Sequence, residues 1–497
     1  IIIKINLWRL IKLIRHYVLL ATDGYVYLPQ SPDPCSDLKK KLYVFGFVGG
    51  LFKVTDGNTT EYINTKLDWT NPDNYDYLYS LQSTAQLPSP LIWGEVNDKI
   101  YITLINLGVP IANLPDLHTV HLHGAHVASQ LDGFPETSFV VPMWMFKDKN
   151  DAPPTATYYF NPEHPGTYMY HCHVEASEHI QMGMYGALII YPSMASLNQH
   201  HIYKSCGKWF FKGIYQKQIP STATNRNFAY NNIKSYYNKE YVMLLSDIDS
   251  KWHDTVEAQK TYYAPDFKPD FWLVNGRAYP DTLKPHPLTI TSSNANTNLT
   301  QLNYESYVHV KTNDKVLFRM INMGYAAVPW HIHGWHFQVI GKDAFPSPFL
   351  AISENLMNMN MGMFTSSYTE HELLESGFTA NIASGETYDL LITATDKRSE
   401  YLNYIKKGQN GLPSLCEQVY ELTQINSNSI YNIPTNPIGQ CPNLNTTNIL
   451  DICNHKNNSY FFPQFYPMHN HDDYKVTNQG VYPGGQLTLI QTDAPTK

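Results

Sequence analysis

The chain has little cysteine, six residues in 497, which is too few for the disulfide scaffolds that hold small secreted domains together. Charge is also sparse. Only 16% of the residues are Asp, Glu, Lys or Arg, and the 35 basic residues are scattered along the chain rather than gathered into runs. With a formal net charge of -8, this distribution excludes a nucleic-acid footprint. A long uninterrupted apolar run is missing as well. The amino-terminal stretch IIIKINLWRLIKLIRHYVLLA is broken by Lys4, Arg9, Lys12 and Arg15, which excludes a clean membrane span or secretory core there. Those four charges fall within one arc at helical spacing, so a basic surface helix is one reading; a first strand starting near Arg15 is the simpler one. No targeting signal is legible.

Against these absences stand 43% hydrophobic residues, enough to bury a sizeable core in a chain of this length, and 37 Tyr and 32 Pro interspersed with short Val, Ile, Leu and Thr runs. That texture predicts strands with long polar connections and little helix. Four N-x-S/T sequons, at Asn58, Asn298, Asn445 and Asn457, and the cysteines at 35, 206, 416, 441 and 453 are compatible with an extracytoplasmic location, secreted or periplasmic, and with one or two disulfides.

Two segments repeat one pattern. LIWGEVNDKIYITLINLG, near residues 91 to 108, and YVHVKTNDKVLFRMINMG, near 307 to 324, each place an alternating strand before an N-D-K turn and a second strand that ends in I-N-x-G. Each precedes a histidine-rich segment by a similar distance. Two copies of one β-domain are implied. The expected organisation is all-β, two Greek-key β-sandwich domains at 15–195 and 240–497 joined by a polar linker at 196–239. The second domain would carry two insertions, roughly 343–376 and 400–465.

Four His-x-His pairs, His121/His123, His171/His173, His331/His333 and His469/His471, exceed the roughly one pair that 21 randomly placed histidines would produce. On a strand, residues i and i+2 share a face, so each pair turns two imidazoles toward one point. Eight such imidazoles, two pairs per repeat, indicate a metal cluster, since imidazole suits copper, zinc and iron. Solvent-facing pairs would explain any one of them, but not all four. A second constellation overlaps the first: His118, Cys172, His179 and Met184, with Met182 as a rival to Met184, are the two imidazoles, thiolate and weak thioether of a blue-copper electron-transfer site. Cys172 alone would read as a buried thiol. Between His171 and His173 it ties that site to the cluster through one residue of backbone.

These motifs, HTVHLHG, HCHVEASEHIQMGM, WHIHGWHF and MHNHDDYK, resemble those of the multicopper oxidases, in particular the two-domain, laccase-like branch with blue copper in the first cupredoxin domain. The resemblance implies two cupredoxin-like domains and four coppers per chain. It gives His118, Cys172, His179 and Met184 to type 1 copper, His121 and His331 to type 2, and His123, His171, His173, His333, His469 and His471 to the type 3 pair. It also implies O2 and a small one-electron donor as reactants, electrons received through an exposed edge of His179, and a homotrimer in which the clusters form between subunits. Two departures stand out. Six residues separate Cys172 from His179, longer than in three-domain laccases and shorter than in copper nitrite reductases. Val328 occupies the type 1 histidine position of the second repeat, and no cysteine lies between His469 and His471, so the second domain has no blue copper. A nitrite reductase-like enzyme and a non-catalytic copper carrier are the rival readings, and neither needs the full set of four pairs.

Weaker signals surround this set. Asp132, in LDGFPE, resembles the family's Asp-Gly element near type 2 copper and is a candidate for proton supply or for holding a water; an ordinary turn aspartate before Gly133 is the equal alternative. Asp472 and Asp473 neighbour the last pair. Met357, Met359, Met361 and Met363 alternate in the first insertion, as a cuprous-ion site or as a flexible apolar loop. His126 and His336 fall outside the ligand pattern.

Overall fold

Asn97 and Asn313, which open the two N-D-K turns, both adopt left-handed backbone, with φ of 71° and 73°, a conformation asparagine tolerates better than most residues. Each turn delivers a strand, Lys99–Asn106 in the first repeat and Lys315–Asn322 in the second, that pairs in parallel with the opening strand of its unit, Leu13–Pro29 or Lys239–Ile248. The internal repeat in the sequence is therefore a repeat in topology. The computed structural model describes residues 13–284, 304–351, 375–397, 404–418, 421 and 463–494. The Met357 to Met363 run and most of both insertions lie outside these residues, as do the sequons at Asn298, Asn445 and Asn457.

Each unit is two facing sheets. The first combines a five-stranded sheet, in which Leu13–Pro29 lies between Lys39–Asp56 and Lys99–Asn106, with a four-stranded sheet ordered Ile92–Glu95, Tyr185–Tyr191, Gly166–His171, His121–His123. Leu19, Phe45, Ile102, Leu122, Tyr170 and Leu188 fill the space between them. The second unit pairs a seven-stranded sheet around Lys315–Asn322 with a five-stranded one that holds Val328–Ile332 and Gln464–Asn470, packed over Met243, Phe318, Trp330, Leu390 and Ile490. The protein is all-β, with few and short helices among the described residues, as its alternating patterns predict.

The units are fused by burial. A third apolar cluster mixes Leu42, Trp93, Met169 and Ile189 of the first with Val242, Leu273 and Ile321 of the second. Beside it runs a buried polar network: Arg319 Nε donates to Glu240 Oε2 at 2.7 Å, Arg319 Nη1 to Thr167 Oγ1 at 3.1 Å, and Thr167 Oγ1 to Asp389 Oδ1 at 2.6 Å. Arg319 is fully buried, and despite that burial Glu240 and Asp389 hold its pKa above the usual range.

The stretch 196–239, expected as a linker, is folded. A small three-stranded sheet, Ile202–Ser205, Lys208–Phe211 and Ile214–Tyr215, covers its own apolar cluster of Leu197, Ile202, Trp209, Ile219, Phe228 and Tyr236. Lys208, Lys212 and Lys217 lie on the outside, but Ser196, Asn227, Asn232 and Ser235 are buried, Asn227 Oδ1 accepting from Thr224 N and Ser235 Oγ donating to the Tyr230 carbonyl. One Trp with a few spaced apolar residues is enough to form a satellite core. The opening strand begins at Leu13, in line with the strand expected near Arg15.

Candidate metal centre

The histidine strands pair in the same way in both units. His121–His123 runs antiparallel to Gly166–His171 with His121 opposite His171, and Val328–Ile332 runs antiparallel to Gln464–Asn470 with His331 opposite His469. Alternation then turns four imidazoles to one point in each unit. In the first quartet, the His121 ring lies 5.0 Å from His123, 5.2 Å from His171 and 5.0 Å from His173, centroid to centroid. In the second, the His331 ring lies 4.8 Å from His333, 5.5 Å from His469 and 5.1 Å from His471. His123 Nε2 is 2.9 Å from His171 Nε2, and His333 Nε2 is 3.2 Å from His469 Nε2.

The opposite ring nitrogens show why those Nε2 atoms are free to bind. His171 Nδ1 bonds the Cys172 carbonyl at 2.7 Å, His469 Nδ1 the Asn470 carbonyl at 2.9 Å, and His121 Nδ1 the Asp132 carbonyl at 2.6 Å. A carbonyl can only accept, so Nδ1 carries the proton and Nε2 presents its lone pair. This is the usual support for a metal-binding imidazole. His331 Nδ1 has Thr379 Oγ1 at 2.9 Å, a hydroxyl that can donate or accept. Burial and neighbouring imidazoles lower the pKa of His123 to about 4, and the same causes hold His171 well below the ordinary range and depress His331 and His333. Neutral imidazole is the form a metal needs.

Cys172 faces the other way. Its Sγ lies 3.3 Å from His179 Nδ1 and 3.8 Å from His118 Nδ1, and all three residues are buried. A metal about 2.0 Å from nitrogen and 2.3 Å from sulfur fits between atoms so spaced. The segment from Cys172 to Met184 closes on itself: Cys172 N donates to Met184 O at 3.0 Å and Met184 N to His179 O at 2.9 Å. The helix Ala176–Met182 that carries His179 ends at Gly183, in left-handed backbone with φ of 117°, where a Cβ would come within 2.9 Å of Leu87 and of the Phe45 carbonyl. Met182 and Met184 are both fully buried in the same core. Val328, opposite in the repeat, packs in the apolar core of the second unit.

The I-N-x-G asparagines brace these sites. Asn106 Nδ2 donates to Asp116 O at 2.6 Å and Val141 O at 2.9 Å, and Val141 in turn bridges His118. Asn322 Nδ2 donates likewise to Ala326 O at 2.9 Å and Ile382 O at 3.0 Å, and Ile382 pairs with Val328. Sequence reading missed Thr119, whose Oγ1 accepts from His173 N at 3.0 Å, along with Thr379 and Asp116. Lone Thr and Asp residues in loops carry no periodic signal.

One expectation changes. His179 has no exposed edge: it is 1% exposed, and Asp116 Oδ2 stands 3.8 Å from its Nε2. Burial pushes its pKa down, but the pull of Cys172 and Asp116 beside it outweighs burial and raises it to about 10. The cover arises because Phe45 packs edge-on to the ring, 5.7 Å between centroids, and the loop bearing Asp116 closes over it. The eight imidazoles fall into two groups within one chain. They form two quartets with no ring contact between them among the described residues, because the two histidine sheets belong to separate units. Asp132 lies beside His121, its carboxylate 3.4 Å from the same Nδ1 that its carbonyl accepts from. Asp473 is 3.9 Å from His469 Nδ1, whereas Asp472 pairs with Lys475 at 2.9 Å. His126 and His336 join neither quartet.

Residues 50–194 and 279–367 match the family model of the multicopper oxidases. Those two segments carry a multicopper oxidase domain, and the chain is a copper oxidoreductase. Among solved structures, it shares its fold with a blue copper oxidase from Nitrosomonas europaea, at 19% identity and a TM-score of 0.51 over 96% of this chain and 86% of that one. It shares it also with the multicopper oxidase mgLAC, at 18% identity and a TM-score of 0.50 over 97% and 88%. No curated protein matches the chain. His469 and His471 lie beyond the matched residues, and it is strand pairing that puts them beside His331 and His333.

Proposed function

We propose that this multicopper oxidase couples one-electron oxidation of a small reducing substrate, a phenolic compound or a metal ion, to four-electron reduction of O2 to water. One observation carries the reading: Cys172, in contact with His118 and His179, is bonded on both sides to members of a histidine quartet. His118, Cys172, His179 and Met184 would hold type 1 copper; His121 and His331 type 2; His123, His171, His173, His333, His469 and His471 the type 3 pair. When bound, the four coppers supply one-electron transfer at the cysteine site and O2 reduction at the imidazole sites.

The chain's own residues do the rest. The peptide between Cys172 and its two histidine neighbours is the short covalent path between the sites. Asp116, partly exposed above the buried His179, meets the donor. Asp132 orients His121 and exchanges protons with water at the cluster. Each quartet supplies half of a cluster, and the second is open to solvent, with His333 and His471 exposed. Head-to-tail contact in a homotrimer would bring the first quartet of one subunit against the second quartet of the next. An extracytoplasmic location agrees with the sequon at exposed Asn58 and with the disulfide at Cys416.

Copper content per chain, the visible and near-ultraviolet spectrum, and O2 uptake with a generic one-electron donor test this reading together. Four coppers, a strong blue band, a near-ultraviolet shoulder and O2 consumption are expected. Two coppers, no shoulder, and consumption of nitrite instead of O2 would replace the oxidase with a nitrite reductase; copper without turnover would leave a carrier.

A further inference from the structure

From Pro192 to Lys239 the sequence contains no Asp or Glu and seven Lys or Arg, in a chain whose formal net charge is -8. Whole-chain counts hide this local excess. It belongs to the folded satellite between the two units. Some of the cations are engaged internally: Arg226 contacts Glu95 at 3.4 Å and Lys204 donates to the Ala223 carbonyl at 2.7 Å. Lys208, Lys212 and Lys217 are exposed and surround a single hairpin.

That hairpin joins Lys208–Phe211 to Ile214–Tyr215 through Lys212 and Gly213, whose φ values of 49° and 85° suit a tight primed turn. Buried Trp209 anchors its base in the satellite core. At the tip, Ile214 is 68% exposed and Tyr215 47% exposed. Lys212 Nζ lies 5.1 Å from the Phe211 ring and Lys208 Nζ 5.2 Å from the Tyr215 ring, so the ammonium groups frame the apolar tip with their stems along it. An isolated exposed Ile or Tyr is unremarkable on a protein surface. An aliphatic and an aromatic side chain beside the turn of a hairpin, framed by Lys208 and Lys212 with exposed Lys217 two residues on, in an acid-free segment, have the composition of an interfacial anchor.

We propose that the hairpin centred on Lys212 and Gly213 docks the enzyme peripherally on a bilayer surface rich in anionic phospholipid. Ile214 and Tyr215 enter the headgroup boundary while Lys208, Lys212 and Lys217 meet the phosphates. Charge selects an anionic partner; the apolar tip favours a bilayer over a soluble polyanion, which has no apolar interior to receive Ile214. No helix among the described residues is long and apolar enough to cross a membrane, so this is a surface contact.

Co-sedimentation of the copper-loaded, full-length protein with phosphatidylcholine vesicles, with and without phosphatidylglycerol, is the test. Binding only to the mixed vesicles, weakened by salt, is expected. Lys208→Glu/Lys212→Glu/Lys217→Glu should abolish it, at about fivefold or more per charge, and Ile214→Ser/Tyr215→Ser should weaken it severalfold, both with unchanged oxidation of a soluble donor. No binding to either vesicle, or equal binding by both variants and the parent protein, overturns the proposal. So does binding to soluble polyphosphate that matches binding to vesicles and is indifferent to Ile214→Ser/Tyr215→Ser, which would make the surface a polyanion site.

Discussion

His171 and Cys172, consecutive in the chain, face opposite sites: His171 Nε2 lies 2.9 Å from His123 Nε2, while Cys172 Sγ lies 3.3 Å from His179 Nδ1. The His171 ring is tied back to the Cys172 carbonyl at 2.7 Å, so the two sites share both backbone and a hydrogen bond. Cys172→Ser should remove the blue band and about one copper per chain while the imidazole sites keep theirs. Metal analysis with absorption spectroscopy checks this; a variant that stays blue would disprove the assignment of Cys172.

The paired asparagines offer a test of the repeat. Each is fully buried and bonds two carbonyls at the base of a ligand-bearing segment. Asn106→Ala and Asn322→Ala should each cost about 2–4 kcal/mol, since the carbonyls are left without donors. The effects on copper should differ. Asn106→Ala should loosen the Cys172 site through Val141 and His118, whereas Asn322→Ala should spare the blue band and lower copper retention elsewhere.

Assembly is expected to matter for O2 reduction more than for blue colour. Phe378, 56% exposed, packs 5.7 Å from His331, and Tyr474, 63% exposed, follows His471 closely. Phe378→Asp/Tyr474→Asp should shift sedimentation from a trimer toward the single chain and abolish O2 uptake, leaving the visible band in place. A parent protein that sediments as a monomer would refute the shared cluster.

The buried Arg319 should be the most costly polar side chain to remove. Arg319→Met strands Glu240 and Asp389 without their cation, at about 3–5 kcal/mol. Denaturant midpoints should fall for both units together, because the network spans them.

Acid should weaken the fold in part through His16. Burial, then Lys53, lowers its pKa to about 4, below the 6.5 of the unfolded chain. Between these values the unfolded chain binds a proton that the folded chain does not. The contribution is therefore intact above pH 6.5 and lost as pH falls toward 4. Discounted for partial exposure, it amounts to no more than about 2 kcal/mol. His16→Gln should flatten the fall in unfolding free energy across that window.

The sequence alone determined the fold class and the pairing of the candidate metal-ligating histidines, because both rest on periodic signals. Alternation marked the strands, His-x-His spacing put imidazoles in pairs on one face, and the I-N-x-G repeat revealed two copies of one unit. Strand register then placed His121 opposite His171 and His331 opposite His469. Only the tertiary structure decided which carbonyl holds each imidazole, that Asp116 and Phe45 cover His179, that residues 196–239 form a satellite with a basic hairpin, and that one chain offers two quartets apart. These depend on loops and on the packing of one unit against the other. Such contacts join residues far apart in sequence, and no local pattern in the chain encodes the distances between them.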